Sequence, residues 1–367
     1  MSTIVETINV AREVAWLPWA VQYFFLIGLS YGAFLLSLPG VALRKQGWEV
    51  ISRLSLLAAL VCGLSAPVAL LADLHQPGRF WHFYAFFTPS SWMSWGAFFI
   101  PVYLTGLILY AWLAFRPLLQ QHADEQGRFA TVARWGALGG HESRGPLLMA
   151  AALAFIGAVL VALYTGVEVM AVRARPLWHT PLLPIQFVIT AIGGAAGLAL
   201  LFNRFGPARD DAAINRRLAH TVAWMQLASL IVGGIWLALA VSGVSPIHAE
   251  ALAEVGGSNN WQMAAVWAVV VTAITWWLGW KRPNSSLLLA LLALHSAWMI
   301  RWAIFIGGQE VPKTGAGYYS YQLPLGPEGL LGIIGTAGLW VFLFIVMTYV
   351  LPLDRIAQRL MEWASLP

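Results

Sequence analysis

Long apolar stretches alternate with short polar ones along the whole chain. A helix needs about twenty apolar residues, rising about 1.5 Å each, to cross the hydrocarbon core of a bilayer. Windows of that length predict nine spans, at 19–41, 54–72, 92–114, 147–167, 182–202, 218–242, 261–280, 285–306 and 329–351. The pattern predicts an all-α polytopic integral membrane protein, with residues 1–367 forming one transmembrane domain.

Composition supports this interpretation and excludes a soluble domain. Of the 367 residues, 59% are hydrophobic and only 10% are charged, far from the balance of soluble globular proteins. The segment before Pro18 holds Glu6, Arg12 and Glu13 and lacks a basic region followed by a cleavable apolar core. We therefore expect no signal peptide.

Lys and Arg are distributed unequally between alternate connections, with fifteen on one side and six on the other. The richer side carries Arg44, Lys45, Arg53, Arg116, Arg128, Arg134, Arg144, Arg204, Arg209, Arg216, Arg217, Lys281, Arg282, Arg355 and Arg359. The poorer side carries Arg12, Arg79, Arg173, Arg175, Arg301 and Lys313. The positive-inside rule then places the N-terminus outside the cytoplasm and the C-terminus inside it. The net charge of +5 reflects this orientation and not nucleic-acid binding.

Ionisable residues and rings gather in "LLADLHQPGRFWHFYAFF", residues 70–87, in the predicted external connection after span two. Asp73 stands at the C-terminal end of that span, where the helix dipole and partial burial disfavour a charged carboxylate. Unless Arg79 or a protonated His75 pairs with it, Asp73 is suited to exchanging protons. The alternative is that Asp73 only ends the helix and forms a salt bridge with Arg79.

A second carboxylate, that of Glu168, lies at the predicted outer end of span four. Glu168 follows Tyr164 by one helical turn, so both share a face, and Arg175 comes shortly after. Glu168 is either a functional group or half of an ion pair that fixes the helix end. Arg301, near the outer end of span eight, either holds a carboxylate such as Asp73 or Glu168 or extends its guanidinium to the membrane interface.

The first span begins at Pro18 and places Gln22 and Tyr23 about one turn inside. Tyr23 at this depth is either an aromatic anchor or a ligand contact. The Gln22 amide needs a hydrogen-bond partner at the edge of the hydrocarbon. A carboxylate, an imidazole, a phenol and an amide walled by rings suit a quinone. Its carbonyl oxygens accept hydrogen bonds, its ring stacks, its tail stays in lipid, and its quinol form releases two protons.

The chain offers few ligands for a redox centre of its own. Cys62 is the one cysteine and lies in span two, which excludes a Cys-ligated iron–sulfur cluster and an internal disulfide. A haem between two histidines needs them at like depth on facing helices, whereas only His295 is mid-membrane and His220 begins span six. We expect no haem, no iron–sulfur cluster and no metal in this chain, so electrons must pass directly to a partner's cofactor.

Motifs in a fixed order carry a resemblance from residue 17 to 340: "LPWAVQYFF", "ADLHQ" with "WHFYAF", "TPSSWMSWGA", "YTGVEV", "ARPLW", "MIRW", "VPK" and "LPLGPEGLLGIIGTAGLW". Together they resemble the NrfD/polysulfide reductase family of membrane subunits, and more closely its tetrathionate reductase branch. The resemblance implies a core of two four-helix bundles plus a ninth helix. It also implies a quinol pocket beneath a ferredoxin-like subunit with four iron–sulfur clusters, which is joined to a molybdopterin catalytic subunit.

On this resemblance Tyr164 contacts the quinone and Asp73 is the acidic residue closing span two. The first helix of polysulfide reductase supplies a histidine where this chain has Gln22 and Tyr23. Which of the two contacts the quinone stays open, and the proton acceptor shifts to Asp73 or His75. Asp73 and His75 are therefore the candidate catalytic residues, with Gln22, Tyr23, Asp73 and Tyr164 binding quinone and Arg79, Glu168, Arg175 and Arg301 supporting them.

The expected function is menaquinol oxidation by the membrane subunit of a tetrathionate reductase-type complex. Relatives of this kind handle polysulfide, arsenate or selenate, and a sulfur-oxidising complex runs the same pocket towards quinone reduction. A passive anchor without a redox role is a further alternative. A secondary transporter is a different class of protein, which needs ionisable groups at the midplane on broken helices. Pro67 is the main feature that favours a broken helix.

Two further sequence features predict contacts. The outer stretch "EVPKTGAGYYSYQLPLGPEG", with Glu310 and Lys313, is either a docking surface for the electron-transfer subunit or a cap over the bundle. Two Gly-x-x-x-Gly pairs permit close helix packing; they are Gly28 with Gly32 and Gly193 with Gly197.

Overall fold

The computed structural model describes residues 14–123, 130–139, 143–205, 211–311, 318–319 and 321–351. Within these ranges all the regular elements are helical, and nine helices are long and apolar enough to cross a membrane. The all-α prediction with nine spans is confirmed. The α-helices are α1 Pro18–Ser37, α2 Glu49–Asp73, α3 His82–Ala85, α4 Trp92–Ala123, α5 Ala130–Gly136, α6 Arg144–Met170, α7 Leu182–Phe205, α8 Ala212–Val241, α9 Pro246–Val255, α10 Asn259–Lys281, α11 Ser286–Trp302 and α12 Leu330–Val350.

Several spans are longer than their apolar windows, because helices continue through polar residues at the membrane surface. Helix α4, the third span, continues nine residues past its predicted end at 114. Helix α8, the sixth span, begins six residues before its predicted start at 218. The short helix α5 lies in the polar connection 115–146. The short helices α3 and α9 have no apolar window and were not predicted.

Recognisable end signals fix the helices. Pro18 occupies the first turn of α1, where its missing N–H costs no hydrogen bond. The Asp211 carboxylate caps α8 by accepting from the N–H groups of Ala213 and Ile214 at 2.8 and 2.9 Å. Although α2 contains Pro67, it continues unbroken to Asp73, so the feature that favoured a broken helix is not realised.

The spanning helices form two groups of four. The first is α1, α2, α4 and α6, and the second is α7, α8, α10 and α11, with α1 packed on α7 between them. The ninth spanning helix, α12, packs mainly on α2. The Trp340 indole N–H donates to Cys62 Sγ on α2 at 3.3 Å, and the Trp340 ring also stacks on Phe202 of α7.

Both Gly-x-x-x-Gly pairs lie at helix contacts. A Cβ at Gly32 would stand 2.7 Å from the carbonyl oxygen of Ala191, so α1 and α7 approach closely only because Gly32 lacks a side chain. A Cβ at Gly197 would stand 2.7 Å from the Cβ of Ala293 on α11. The prediction of close packing at these glycines is confirmed.

Because the spans alternate in direction, the start of α1 shares one side of the bundle with the ends of α2, α6, α8 and α11. We call this side the N-face. A hydrogen bond between Leu17 and Asp73 and a pair between Trp16 and Gln309 join its elements directly. The predicted site residues all lie towards the N-face.

Candidate functional site

Asp73 caps a helix other than its own. Its Oδ1 accepts a hydrogen bond from the backbone N–H of Leu17 at 3.1 Å. A carboxylate is stabilised at the positive N-terminal end of a helix dipole, and no side chain of α1 itself caps that end. The negative pole of α2, which was expected to dominate at Asp73, is therefore offset by the positive pole of α1.

The alternative of a salt bridge between Asp73 and Arg79 is not realised. Arg79 is exposed in the short helical turn Pro77–Arg79, and no ion pair joins it to Asp73. The turn at Pro77 and Gly78 carries Arg79 away from the helix end. His75 lies close enough to Asp73 to interact with it electrostatically, and its own side chain is exposed.

The start of α1 is also held from the opposite group of helices. The Gln309 side-chain amide forms two hydrogen bonds with the backbone of Trp16, accepting from its N–H at 2.9 Å and donating to its carbonyl at 2.8 Å. Asp73 and Gln309 thus fix the turn that precedes Gln22 and Tyr23. Gln309 was not predicted from the sequence, because 293 residues separate it from Trp16.

Tyr164, Tyr23 and Glu168 come together beside Asp73. Glu168 interacts with the Tyr164 side chain and lies within electrostatic reach of Asp73. Tyr164 and Tyr23 are near each other and both are buried. The Tyr23 hydroxyl is fully buried and has the Tyr164 hydroxyl as its polar neighbour; no other described residue forms a hydrogen bond with it. A hydroxyl offers one donor and two acceptor positions, so Tyr164 alone does not use them all.

Gly96 makes room for this cluster. A Cβ at Gly96 would overlap the ring of Tyr164, so the phenol rests directly on the backbone of α4. Gly96 is the last residue of "TPSSWMSWG", which belongs to the motifs that carry the family resemblance. The signal that could have identified it is a glycine one turn inside a helix that also carries Trp92 and Trp95.

Gln22 and Tyr23 point to different neighbours. Gln22 Oε1 accepts a hydrogen bond from the Trp298 indole N–H at 3.2 Å, which supplies the partner that its burial requires. Tyr23 is fully buried, which excludes the alternative of an aromatic anchor at the membrane surface. Of the two first-helix candidates, Tyr23 is the one beside Tyr164 and Glu168.

Both predictions for Arg301 are wrong. The side chain is only 1% exposed, so it does not extend to the interface. It holds neither Asp73 nor Glu168, because its guanidinium donates to the carbonyl oxygens of Phe24, Ala297 and Phe187 and to the hydroxyl of Thr190. Backbone carbonyls carry no sequence signature, which explains why these partners could not be predicted.

Arg175 fixes the chain just after α11. One guanidinium nitrogen donates to the carbonyls of Gly308 and Val311, both at 2.7 Å, and the group lies 5.0 Å from the Trp178 ring. Burial lowers the pKa of Arg175, and the nearby carboxylate of Glu254 acts in the opposite direction. Arg175 thus supports the segment that carries Gln309 and makes no contact with the carboxylate cluster.

The expected docking stretch after α11 lies only partly within the described residues. Lys313 is outside them. Glu310 is buried, and its carboxylate accepts from Ser258 and, at 3.1 Å, from Asn260 at the start of α10. Glu310 therefore anchors the stretch to the bundle and is not part of an exposed docking surface.

Aromatic side chains surround the cluster at two levels. Beneath the N-face, Trp16 contacts Phe24, Trp178 and Phe305 at ring distances between 5.2 and 5.9 Å. Above it, the connection after α2 leaves five rings exposed, and exposed apolar patches of this kind often mark interaction sites. The five are Phe80, Trp81, Tyr84, Phe86 and Phe87.

Known proteins of similar sequence identify the family of this chain. The family model described as "Polysulphide reductase, NrfD" matches residues 6–313. The chain belongs to the NrfD family. Within it, the chain is 35% identical over 354 residues to one subunit of the tetrathionate reductase of Salmonella typhimurium, a match that covers 94% of each protein. The expected resemblance is confirmed.

More distant NrfD relatives match about half of this chain. One is a subunit of the selenate reductase of Mesobacillus selenatarsenatis, 29% identical over 212 residues, which are 54% of this chain and 50% of the relative. Another belongs to the polysulfide reductase of Wolinella succinogenes and is 28% identical over 207 residues, which are 55% and 62% of the two proteins. This NrfD protein is therefore a multi-pass membrane subunit of the polysulfide, tetrathionate and selenate reductase type.

Proposed function

We propose that this NrfD protein oxidises menaquinol at the N-face and passes the electrons to a partner subunit of a tetrathionate reductase-type complex. The observation that carries the proposal is the convergence of two carboxylates and two buried phenols, those of Asp73, Glu168, Tyr164 and Tyr23, at one place on the N-face. Mostly apolar sites with a few convergent polar groups are typical of bound organic ligands. A quinol head group would use the hydrogen-bonding positions of the two phenols that remain open.

The chemistry of a quinol matches the groups present. Oxidation removes two protons and two electrons, and the two O–H bonds become two carbonyl groups. Asp73 and Glu168 provide two carboxylates to receive the protons, and exposed His75 leads from Asp73 to water. The hydroxyls of Tyr23 and Tyr164 then donate to the carbonyl oxygens of the quinone. Bound quinone is the substrate, and the proposal assigns no haem, metal or iron–sulfur cluster to this chain.

Partner subunits follow from the names of the relatives, which are each one subunit of a reductase. We assign the N-face to a ferredoxin-like subunit with four iron–sulfur clusters, whose nearest cluster takes the electrons, and to a molybdopterin catalytic subunit beyond it. We assign the N-face to the outside of the bacterial inner membrane and the C-terminus to the cytoplasm, an orientation supported by the excess of Lys and Arg on the other side.

Reversal of electron flow uses the same residues, with Asp73 and Glu168 giving protons to a quinone that is being reduced. The relative potentials of quinone and partner decide the direction.

A secondary transporter is less well supported, because the carboxylates lie at one face and α2 is unbroken. A passive anchor offers no reason for two carboxylates and two phenols to converge at one place.

The test is quinol-dependent turnover of the assembled complex carrying Tyr164→Phe or Glu168→Gln. We expect turnover to fall by roughly tenfold in Tyr164→Phe, which loses a positioned hydrogen bond, and by roughly a hundredfold in Glu168→Gln, which loses a proton acceptor. Tyr103→Phe is the matched control, since this fully buried phenol pairs with Ser30 at 2.8 Å away from the cluster. Equal activity of all three variants and the parent would contradict the proposal.

A further inference from the structure

Arg301 carries a positive charge into the helix bundle without a matching negative one. Its side chain is 1% exposed and lies within a membrane-spanning segment. Among the described residues no carboxylate forms an ion pair with it; it donates to three carbonyls and to the Thr190 hydroxyl, and the Tyr31 phenol is a further neighbour. Placing an arginine in this way is expensive, so a role beyond filling space is expected.

The guanidinium joins three helices at one point. Nε donates to Phe24 on α1 at 2.9 Å, Nη1 to Thr190 on α7 at 3.2 Å and to Ala297 on α11 at 2.8 Å, and Nη2 to Phe187 at 3.3 Å. Gly28 provides the space, because a Cβ there would stand 2.6 Å from Nη2. The planar group thus fixes the position of α1 against the second group of helices.

This contact lies next to the turn that carries the first-helix site residues. Phe24 follows Tyr23 directly, and their rings touch at 5.1 Å. Trp298, one turn before Arg301, donates to Gln22. The same stretch of α11 therefore holds both sides of the Gln22–Tyr23 turn, while Gln309 and Asp73 hold the residues before it.

Charge adds a second effect. Carbonyl and hydroxyl oxygens satisfy the N–H groups but leave a net positive charge, which acts over a long distance in a medium of low dielectric. A quinol that loses protons before its electrons becomes transiently negative. A fixed cation nearby lowers the energy of that state and costs no reorganisation during the reaction.

We infer that Arg301 is a positioning residue of the proposed quinol site, which orients Tyr23 through the Phe24 carbonyl and supplies a fixed positive charge that favours the anionic quinol. This inference depends on the proposed function. The two contributions are separable, because lysine keeps the charge but cannot replace the planar set of donors that holds three helices.

The experiment compares Arg301→Lys and Arg301→Gln in the assembled complex, with a water-soluble menaquinol analogue as substrate. We expect Arg301→Gln to lower kcat by roughly tenfold and to raise KM several-fold, since it loses both charge and orientation. Arg301→Lys should recover kcat to within about threefold of the parent while KM stays raised. If Arg301 had only a structural role, lysine would not restore kcat while KM stayed raised.

Gly28→Ala displaces the Arg301 guanidinium while its charge is retained, so it tests how far Arg301 orients Tyr23. This variant also replaces Arg301→Gln if the Arg301→Gln complex does not assemble. The new Cβ would push Nη2 away from its partners, so KM should rise several-fold with kcat nearly unchanged. Gly194→Ala is the control: its Cβ would meet Leu29 and Ala297 at 2.7 and 3.1 Å, disturbing the same three helices without touching the guanidinium. We expect at most a twofold change in KM for that variant.

Two outcomes would overturn the inference. One is an Arg301→Gln complex whose kcat and KM match the parent; the other is an Arg301→Lys complex as slow as Arg301→Gln. Failure of the proposed function looks different, because the parent complex itself would then show no turnover with the quinol analogue.

Discussion

Asp73 combines two roles at the scale of one residue. Its carboxylate holds the start of α1 through the Leu17 N–H, and in the proposed reaction it also receives a proton. Asparagine caps a helix about as well as aspartate, but its amide cannot accept a proton from quinol. A single substitution therefore separates the two roles.

We predict that Asp73→Asn lowers quinol-dependent turnover by roughly a hundredfold while the complex assembles with normal yield and thermal stability. Asp73→Ala should lower turnover equally and also destabilise the protein by about 1 kcal/mol, the usual value of a lost helix cap. Turnover of the solubilised complex and its thermal unfolding midpoint are the two measurements. Parent-level turnover in Asp73→Asn would leave Asp73 with the capping role alone.

Residues whose signal is local were predictable from the sequence. The four-residue spacing of Tyr164 and Glu168, and the place of Asp73 at a helix end, correctly anticipated one cluster. Arg301 and the partner of Asp73 were not predictable, because backbone groups of distant helices satisfy them. A sequence shows that a buried charge needs partners, but it does not show which carbonyl will turn towards it.

At the scale of elements, the site depends on how closely α4 and α6 approach. The Tyr164 ring of α6 rests on the bare backbone of Gly96 in α4. The lengths of the apolar stretches predicted where the spans lie. They did not predict the contact between Gly96 and Tyr164, since a glycine in a membrane helix can face any of several neighbouring helices. The position of the phenol is therefore set by α4 as much as by its own helix.

Gly96→Ala should move the Tyr164 ring without changing any ionisable group. We predict a rise in KM for quinol of roughly tenfold, because a displaced phenol loses its hydrogen bond to the ligand. Gly338→Ala in α12 is a suitable control, since nothing lies within 4 Å of its added Cβ. Steady-state kinetics of both complexes measure the effect, and equal KM values would show that Tyr164 does not contact the substrate.

At the scale of the whole molecule, the distribution of Lys and Arg carries a signal for orientation. Fifteen of the 21 Lys and Arg residues belong to the connections that the sequence assigns to the side opposite the N-face. The N-face is thus expected outside the cytoplasm, where the proposed iron–sulfur partner would dock. The exposed rings after α2 lie on that same side.

Orientation can be measured with single cysteines, because the native Cys62 is buried. We predict that His75→Cys reacts with a membrane-impermeant maleimide added to intact spheroplasts, whereas Arg216→Cys, exposed on the opposite side, reacts only after permeabilisation. The opposite pattern would move the proposed site and its electron acceptor to the cytoplasmic side and require a different partner.

The most direct measurement is a cryo-EM structure of the complete complex with a menaquinol-site inhibitor bound. Our account predicts density for the inhibitor head group against Tyr164 and Tyr23, within hydrogen-bond distance of Glu168 or Asp73, and with an iron–sulfur cluster of the partner above the N-face. An inhibitor bound at the opposite face, or between α10 and α11 away from Tyr164, would contradict it.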